Sequence, residues 1–517
     1  MDRRKIGGFV LLAFGIAAQA ATVRAPLADA VERGDKISVR RLLKTGDAVN
    51  APQPDGTTAL HWAAYYDDAE TVALLVKAGA NVNAVNRYGE PPLVEACTNG
   101  GVAVVKLLLD AGADANTTMK GGETVLMLAA RSGNLSAVNA LLARGANVKA
   151  RERLGQTALM WAAAEGHTAV VRALIESGAE LNATLDSGFT AFFFAVREGR
   201  LDTVRAFLSA GIDVNKMLQR PEGAGRGGRG GFARRAPASN PLLLAVENGH
   251  FELAMALIAA GADPNDVRTG VTPLHMVASI RKPDSNDTND GAPVVGEGRL
   301  SSLDFVREIV KHGANVNFRL PKGTPGLRST SSHLSTDGAA GATPFLFAAD
   351  RSDIPLMRLL LELGADPLLP NFNNTTPLMA AAGTGTASPD EEAGEESEAI
   401  EAVKMLLALG GDVNTVDDNG DTAMHGAAYN EYPLVAKLLA EHGADPKIWN
   451  KPNKRGGTPL FIAEGYADNS PQPDAPTIEA ITKLMLAAGL STAGERPKIV
   501  DIYEKPAQTP RPPAPTQ

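Results

Sequence analysis

Leu107-Leu108-Leu109-Asp110-Ala111-Gly112-Ala113-Asp114-Ala115-Asn116 closes a unit that the chain copies along its length. Its glycine recurs at 46, 79, 112, 145, 178 and 211, each time 33 residues on. Working outward, Val104 to Leu109 places apolar residues at i, i+3 and i+4, which predicts a helix with one buried stripe. Further back, Thr58, Pro91, Thr124, Thr157 and Thr190 keep the same period, each ahead of a short alanine-rich run. A fixed period of this length means one supersecondary unit repeated in tandem, hence a solenoid rather than a globule.

Each recurrent residue has a physical reason. The threonine caps the first helix by accepting from an early backbone amide. The closing glycine sits one residue past the second helix, where left-handed geometry favours it. Gly56, Gly89, Gly122, Gly155 and Gly188 stand at turn positions that call for positive φ. Neither helix can bury its stripe alone, so each unit depends on its neighbours. The fold class expected is an all-α repeat solenoid, helix-turn-helix units joined by β-hairpin-like loops.

Thr58-Ala-Leu-His-Trp-Ala-Ala64, Thr272-Pro-Leu-His275 and Gly166-His167 resemble the signature phrases of the ankyrin repeat. The resemblance runs from about Pro26 to Leu490, with later closing glycines at 261, 313, 364, 410, 443 and 489. Eleven helix-opening phrases follow a less complete unit at Pro26–Asn50, the last six beginning near Asn240, Thr272, Thr343, Thr376, Thr422 and Thr458. It implies that His61, His275 and His425 hydrogen-bond between neighbouring turns.

The termini read differently. Arg3-Arg4-Lys5, the apolar stretch Ile6 to Ala17 and the small-residue site Ala18-Gln19-Ala20 together predict a signal peptide over 1–20, followed by a linker at 21–25. The apolar stretch is short for a bilayer span, so export is expected rather than membrane insertion after cleavage. General secretion fits better than twin-arginine export, and the expected location is periplasmic, with full secretion as the alternative. Residues 491–517 end in Pro510-Arg511-Pro512-Pro513-Ala514-Pro515, the composition of a disordered tail. A net charge of −9 argues against nucleic-acid partners. Cys97 is the only cysteine, so no intrachain disulfide can form; it is expected as a buried small residue.

The period breaks at 220–239, 281–300, 319–340, 385–398 and 466–477. Seven of the eight histidines fall on repeat positions; only His333 does not. Cys97 has no partner at zinc-ligand spacing. The run Gly223–Gly231 lacks the Lys-Ser/Thr of a phosphate loop. Asn286 to Glu297 echoes a calcium loop, but with Asn first, Thr third and Pro293 inside it. Asp390 to Glu396 suits the start of a helix. No catalytic residue, cofactor or metal is expected.

What remains is surface. In ankyrin-like units the hairpin tips and the exposed end of the first helix bind partners, on the concave face. The matching hairpin residues are Arg87, Tyr88, Lys120, Arg153, Leu154, Phe189 and Phe372. The matching helix ends are Tyr65, Tyr66, Asn99, Arg131, Glu165, Arg197, Glu198, Arg351, Tyr429 and Asn430. Tyrosine and arginine are frequent binding anchors, although Tyr65 and Tyr66 could instead pack on neighbouring turns. The function expected is a monomeric, non-enzymatic scaffold for a protein partner. The alternatives are an envelope enzyme subunit using His333, Asp337, Asp284 and Asp290, or a secreted effector that binds a host protein.

Overall fold

A computed structural model describes residues 25–45, 48–99, 101–218, 239–282, 298–322, 339–384, 394–466 and 473–493. The proposed signal peptide, the tail beyond 493 and at least half of each insertion, including His333, Asp337, Asp284 and Asp290, lie outside these residues. Among the described residues there are twenty-five helices and no strand. Twenty-four of them form inner–outer pairs, from Pro26–Glu32 with Lys36–Thr45 to Pro459–Ala463 with Ala475–Ala487. The remaining one, Pro446–Trp449, is a single turn inside a hairpin. The chain divides into two compact units at Leu185 and Asp186. None of the helices is long and apolar enough to cross a membrane.

In the first unit the core is written in one register. Val72 and Leu75, Val105 and Leu108, Val138 and Leu141, and Val171 and Leu174 are fully buried on successive outer helices. Alanines fill the matching inner positions (Ala63, Ala96, Ala129, Ala162), small enough for helices to approach closely. Each fully buried valine or leucine contributes roughly 1.5–3 kcal/mol. Cys97 is fully buried, and burial pushes its thiol up to about 12, which keeps it an unreactive core residue.

The caps follow the repeat. Thr124 Oγ1 accepts from the Met127 amide at 3.2 Å, and Thr157 from Met160 at 3.3 Å. Where the fourth residue is histidine, the hydroxyl turns to it: Thr272 Oγ1 lies 2.7 Å from His275 Nδ1. The outer helix Leu135–Ala143 ends in a pair of hydrogen bonds, Gly145 N to Leu142 O and Ala146 N to Leu141 O, both 3.0 Å, with Gly145 at φ +79°. That is the Schellman arrangement, and it explains the closing glycines from Gly79 onward.

Bonds between repeats are equally regular. Asn83 Nδ2 donates to Gly112 O at 3.1 Å, and Asn116 Nδ2 to Gly145 O at 3.2 Å. Their Oδ1 atoms accept from the next unit, from Asp114 N at 3.0 Å and Asn147 N at 2.8 Å. The same asparagine bond recurs in the second unit from Asn265 to Gly313 and from Asn317 to Gly364. The three signature histidines tie hairpins as the resemblance implied: Nε2 of His61, His275 and His425 meets the carbonyls of Glu90, Ala342 and Lys451 at 2.9, 3.2 and 3.0 Å. A carbonyl can only accept, so Nε2 carries the proton and Nδ1 is left to accept from threonine.

Candidate protein-interaction surface

In the first unit the hairpin tips and inner-helix ends leave large side chains in solvent. Tyr65, Tyr66 and Tyr88 are about half exposed, at 49, 51 and 50%, and Leu154 is 69% exposed. Arg87, Asn99, Lys120, Arg131, Arg153 and Glu165 are exposed as well.

Three aromatic rings gather at the second inner helix, Ala59–Tyr65. Tyr66 stacks on Trp62 at 5.9 Å, and Tyr65 meets Tyr66 edge-on at 5.2 Å. The cluster is braced by polar bonds. Trp62 Nε1 donates to Gln53 Oε1 at 2.7 Å, and Gln53 Nε2 donates to Asp29 and Glu32 at 2.9 and 2.7 Å. The Tyr66 hydroxyl donates to Glu32 O at 3.2 Å, and Asn99 Nδ2 to Tyr65 O at 2.9 Å. The tyrosines therefore pack on neighbouring turns and still show half their surface. Ordered aromatics of this kind lose little entropy on binding.

Cations lie on rings nearby. The Arg87 guanidinium is 4.8 Å from the Tyr88 ring, and its Nη2 donates to the Tyr88 hydroxyl at 2.6 Å. Arg131 sits 5.0 Å from the Trp161 ring. Trp62 and Trp161 were not among the candidate residues. They share one inner-helix register, 99 residues or three periods apart, and that spacing was the signal available in the sequence.

In the second unit Phe189 is half-buried, and Arg197 lies 5.4 Å from its ring and 5.1 Å from Phe194. Arg197 Nε also donates to Glu198 Oε1 at 2.9 Å. Phe372 is exposed beneath the Arg319 guanidinium, 4.4 Å away.

Three candidates of this unit are not at the surface. Tyr429 is 3% exposed, its hydroxyl accepting from Asn453 Nδ2 at 3.2 Å. Asn430 is 8% exposed and packs so closely on Gly383 that a Cβ there would lie 2.5 Å from its amide. Arg351 is 4% exposed, and its Nη1 donates to the Lys282 carbonyl. The repeat register places these residues at helix ends, but the next hairpin, Gly383 and the chain leaving Arg281 close over them.

Asp417 and Asp421 form a buried network that the sequence reading did not single out. Burial raises both carboxyl groups above the ordinary range, while Thr375 and Asn453 donate to them at 3.2 and 2.7 Å. Among the described residues no group of three His, Cys, Asp or Glu side chains is placed to hold a metal ion.

A stack of paired helices with stapled hairpins and an open, aromatic-rich face is the architecture of a repeat-type interaction protein. Family models for ankyrin repeats match residues 27–119, 126–217 and 392–469, and a second one matches 242–285; the chain belongs to the ankyrin-repeat family. Ankyrin repeat and SOCS box protein 16 of Mus musculus is 36% identical over 247 residues, covering 45% of this chain and 48% of that protein. Ankyrin repeat and SOCS box protein 6 of Homo sapiens is 35% identical over 204 residues, 37% of this chain and 42% of that protein. B-cell lymphoma 3 protein homolog of Mus musculus is 31% identical over 143 residues, 27% and 23% of the two chains. The chain spans less than half the length of each of these relatives.

Proposed function

We propose that this chain is a non-enzymatic, monomeric scaffold exported to the cell envelope, where it holds a protein partner. The contact surface would be the hairpin tips and inner-helix ends. The observation that carries this reading is the braced cluster of Trp62 with the half-exposed Tyr65 and Tyr66, together with the half-exposed Tyr88 under Arg87 in the next unit. Aromatic and arginine anchors of this kind dominate binding energy at protein interfaces. Ankyrin-repeat proteins are generally interaction scaffolds, which supports the class of partner. Export rests on the Arg3-Arg4-Lys5 and Ile6–Ala17 pattern, and a periplasmic location follows from it.

The test is a crosslinking pull-down from intact cells with the chain tagged after Gln517, followed by mass spectrometry. A dominant envelope protein lost from the Tyr65→Ala, Tyr66→Ala, Tyr88→Ala variant supports the reading. Capture unchanged by that variant assigns the surface wrongly, and a chain found only in the cytoplasm overturns export.

A further inference from the structure

We propose that the hairpin tips of the first unit form a basic ladder for an extended acidic segment of the partner protein. This deepens the scaffold reading and rests on it. Arg87, Lys120 and Arg153 stand 33 residues apart, at one position of three successive tips, and all three are exposed. The tips touch, twice through the backbone and once through the Lys120 side chain. Arg87 N donates to Asp55 O at 2.8 Å, Lys120 Nζ to Arg87 O at 3.5 Å, and Arg153 N to Gly121 O at 3.0 Å. Gly56 permits the approach: a Cβ there would stand 3.1 Å from the Arg87 amide.

The second observation is charge. In a chain of net charge −9, some arginines elsewhere are matched to carboxylates, as in Arg40 with Glu70, Arg144 with Asp110 and Arg358 with Glu401. Among the described residues Arg87, Lys120, Arg131 and Arg153 form no ion pair. Asp55 acts on Arg87 only through space. Two of the four cations are braced on rings, Arg87 on Tyr88 and Arg131 on Trp161. Bracing lowers the entropy lost when a carboxylate takes the guanidinium fork.

The neighbouring residues select a peptide over a nucleic acid. Tyr88 and Leu154 follow Arg87 and Arg153 and are exposed, so each of those tips offers a charge and then an apolar contact. Glu90 and Glu123 each lie three residues beyond a ladder cation, Arg87 and Lys120, at the same tips. A continuous phosphate backbone would meet these carboxylates, whereas a peptide can alternate carboxylates with aromatic or aliphatic side chains.

The experiment titrates the full chain into a fluorescent peptide of alternating Glu and Tyr and follows anisotropy. A Lys–Tyr peptide of equal length and oligothymidylate serve as comparators. The Glu–Tyr peptide should bind, and binding should weaken as salt rises, as screening requires. Arg87→Glu, Lys120→Glu, Arg153→Glu should raise Kd by about tenfold or more, while Arg205→Glu, Arg307→Glu on outer helices should not. Should the triple variant lose its circular dichroism, Lys120→Glu alone carries the test, with a smaller rise. Equal binding by the reversed chain, no binding of the peptide, or tighter binding of oligothymidylate overturns the ladder. The pull-down separates the two ideas. Capture lost with the tyrosines but kept on charge reversal overturns the ladder alone; capture indifferent to both overturns the scaffold reading itself.

Discussion

Asn116 Nδ2 donates to the carbonyl of Gly145, one full unit ahead, at 3.2 Å, while its Oδ1 accepts from Asn147 N at 2.8 Å. One exposed side chain thus satisfies a helix-terminal carbonyl and the amide two residues beyond it. Asn116→Ala removes both bonds and should cost about 1–2 kcal/mol, read as a lower urea midpoint with unchanged slope.

Lys149 occupies the same register one unit later, and an ammonium cannot accept from the following amide. Lys149→Asn should restore the staple to Gly178 and Glu180 and stabilise the first unit by about 0.5–1 kcal/mol. No gain in melting temperature would show that the hairpin geometry there differs from that at Asn116.

Gly145 has φ +79° and open space where a Cβ would stand, so its constraint is conformational and not steric. Gly145→Val should cost roughly 1–2 kcal/mol, and Gly145→Asn clearly less, because asparagine tolerates the left-handed region. Urea denaturation of both variants measures the difference.

Burial lowers the His275 pKa from 6.5 to about 3 and that of His425 from 6.5 to about 4. Between those folded values and 6.5 the unfolded chain binds more protons, so stability rises with pH and is lost as pH falls through this window. The His425 shift alone corresponds to roughly 3 kcal/mol. Asp417 and Asp421, raised by burial, act in the opposite sense near the lower end of the window. Urea midpoints at pH 7 and 4.5 should show the second unit weakened at the lower pH, less so in His425→Gln.

Asp353 is buried against Arg281, whose Nε and Nη2 donate to its oxygens at 2.7 and 3.1 Å, and it also caps the helix Ile354–Glu362. Asp353→Ala strands a mostly buried guanidinium and removes the cap. It should cost about 3–5 kcal/mol, detected as early loss of helicity on heating.

How much of this was legible depends on whether a residue's neighbours repeat. Thr124, Gly145 and Asn116 were readable because the same partners recur every 33 residues. Tyr429 and Asn430 stand at the positions of Tyr65 and Tyr66, yet they are covered by Asn453 and Gly383, which fill repeat positions with residues of different size and polarity from those upstream. Arg351 is covered in the same way by the carbonyl of Lys282, at the root of an insertion. The register gives a side chain's direction, but its exposure is set by which residues fill the neighbouring positions and by chain at the insertions. Tyr429→Phe provides the check: a loss of about 0.5–1.5 kcal/mol with partner capture untouched.

The asparagine and histidine staples of the first unit also have a mechanical meaning. Each reaches one repeat and no further, so a pulling force applied at an end is carried by the last interface alone. Such a chain yields by peeling, repeat after repeat, and a force–extension trace should be a train of small, nearly equal steps. It can give way at one edge and close again while the remaining repeats stay folded, a spring made of weak and similar latches.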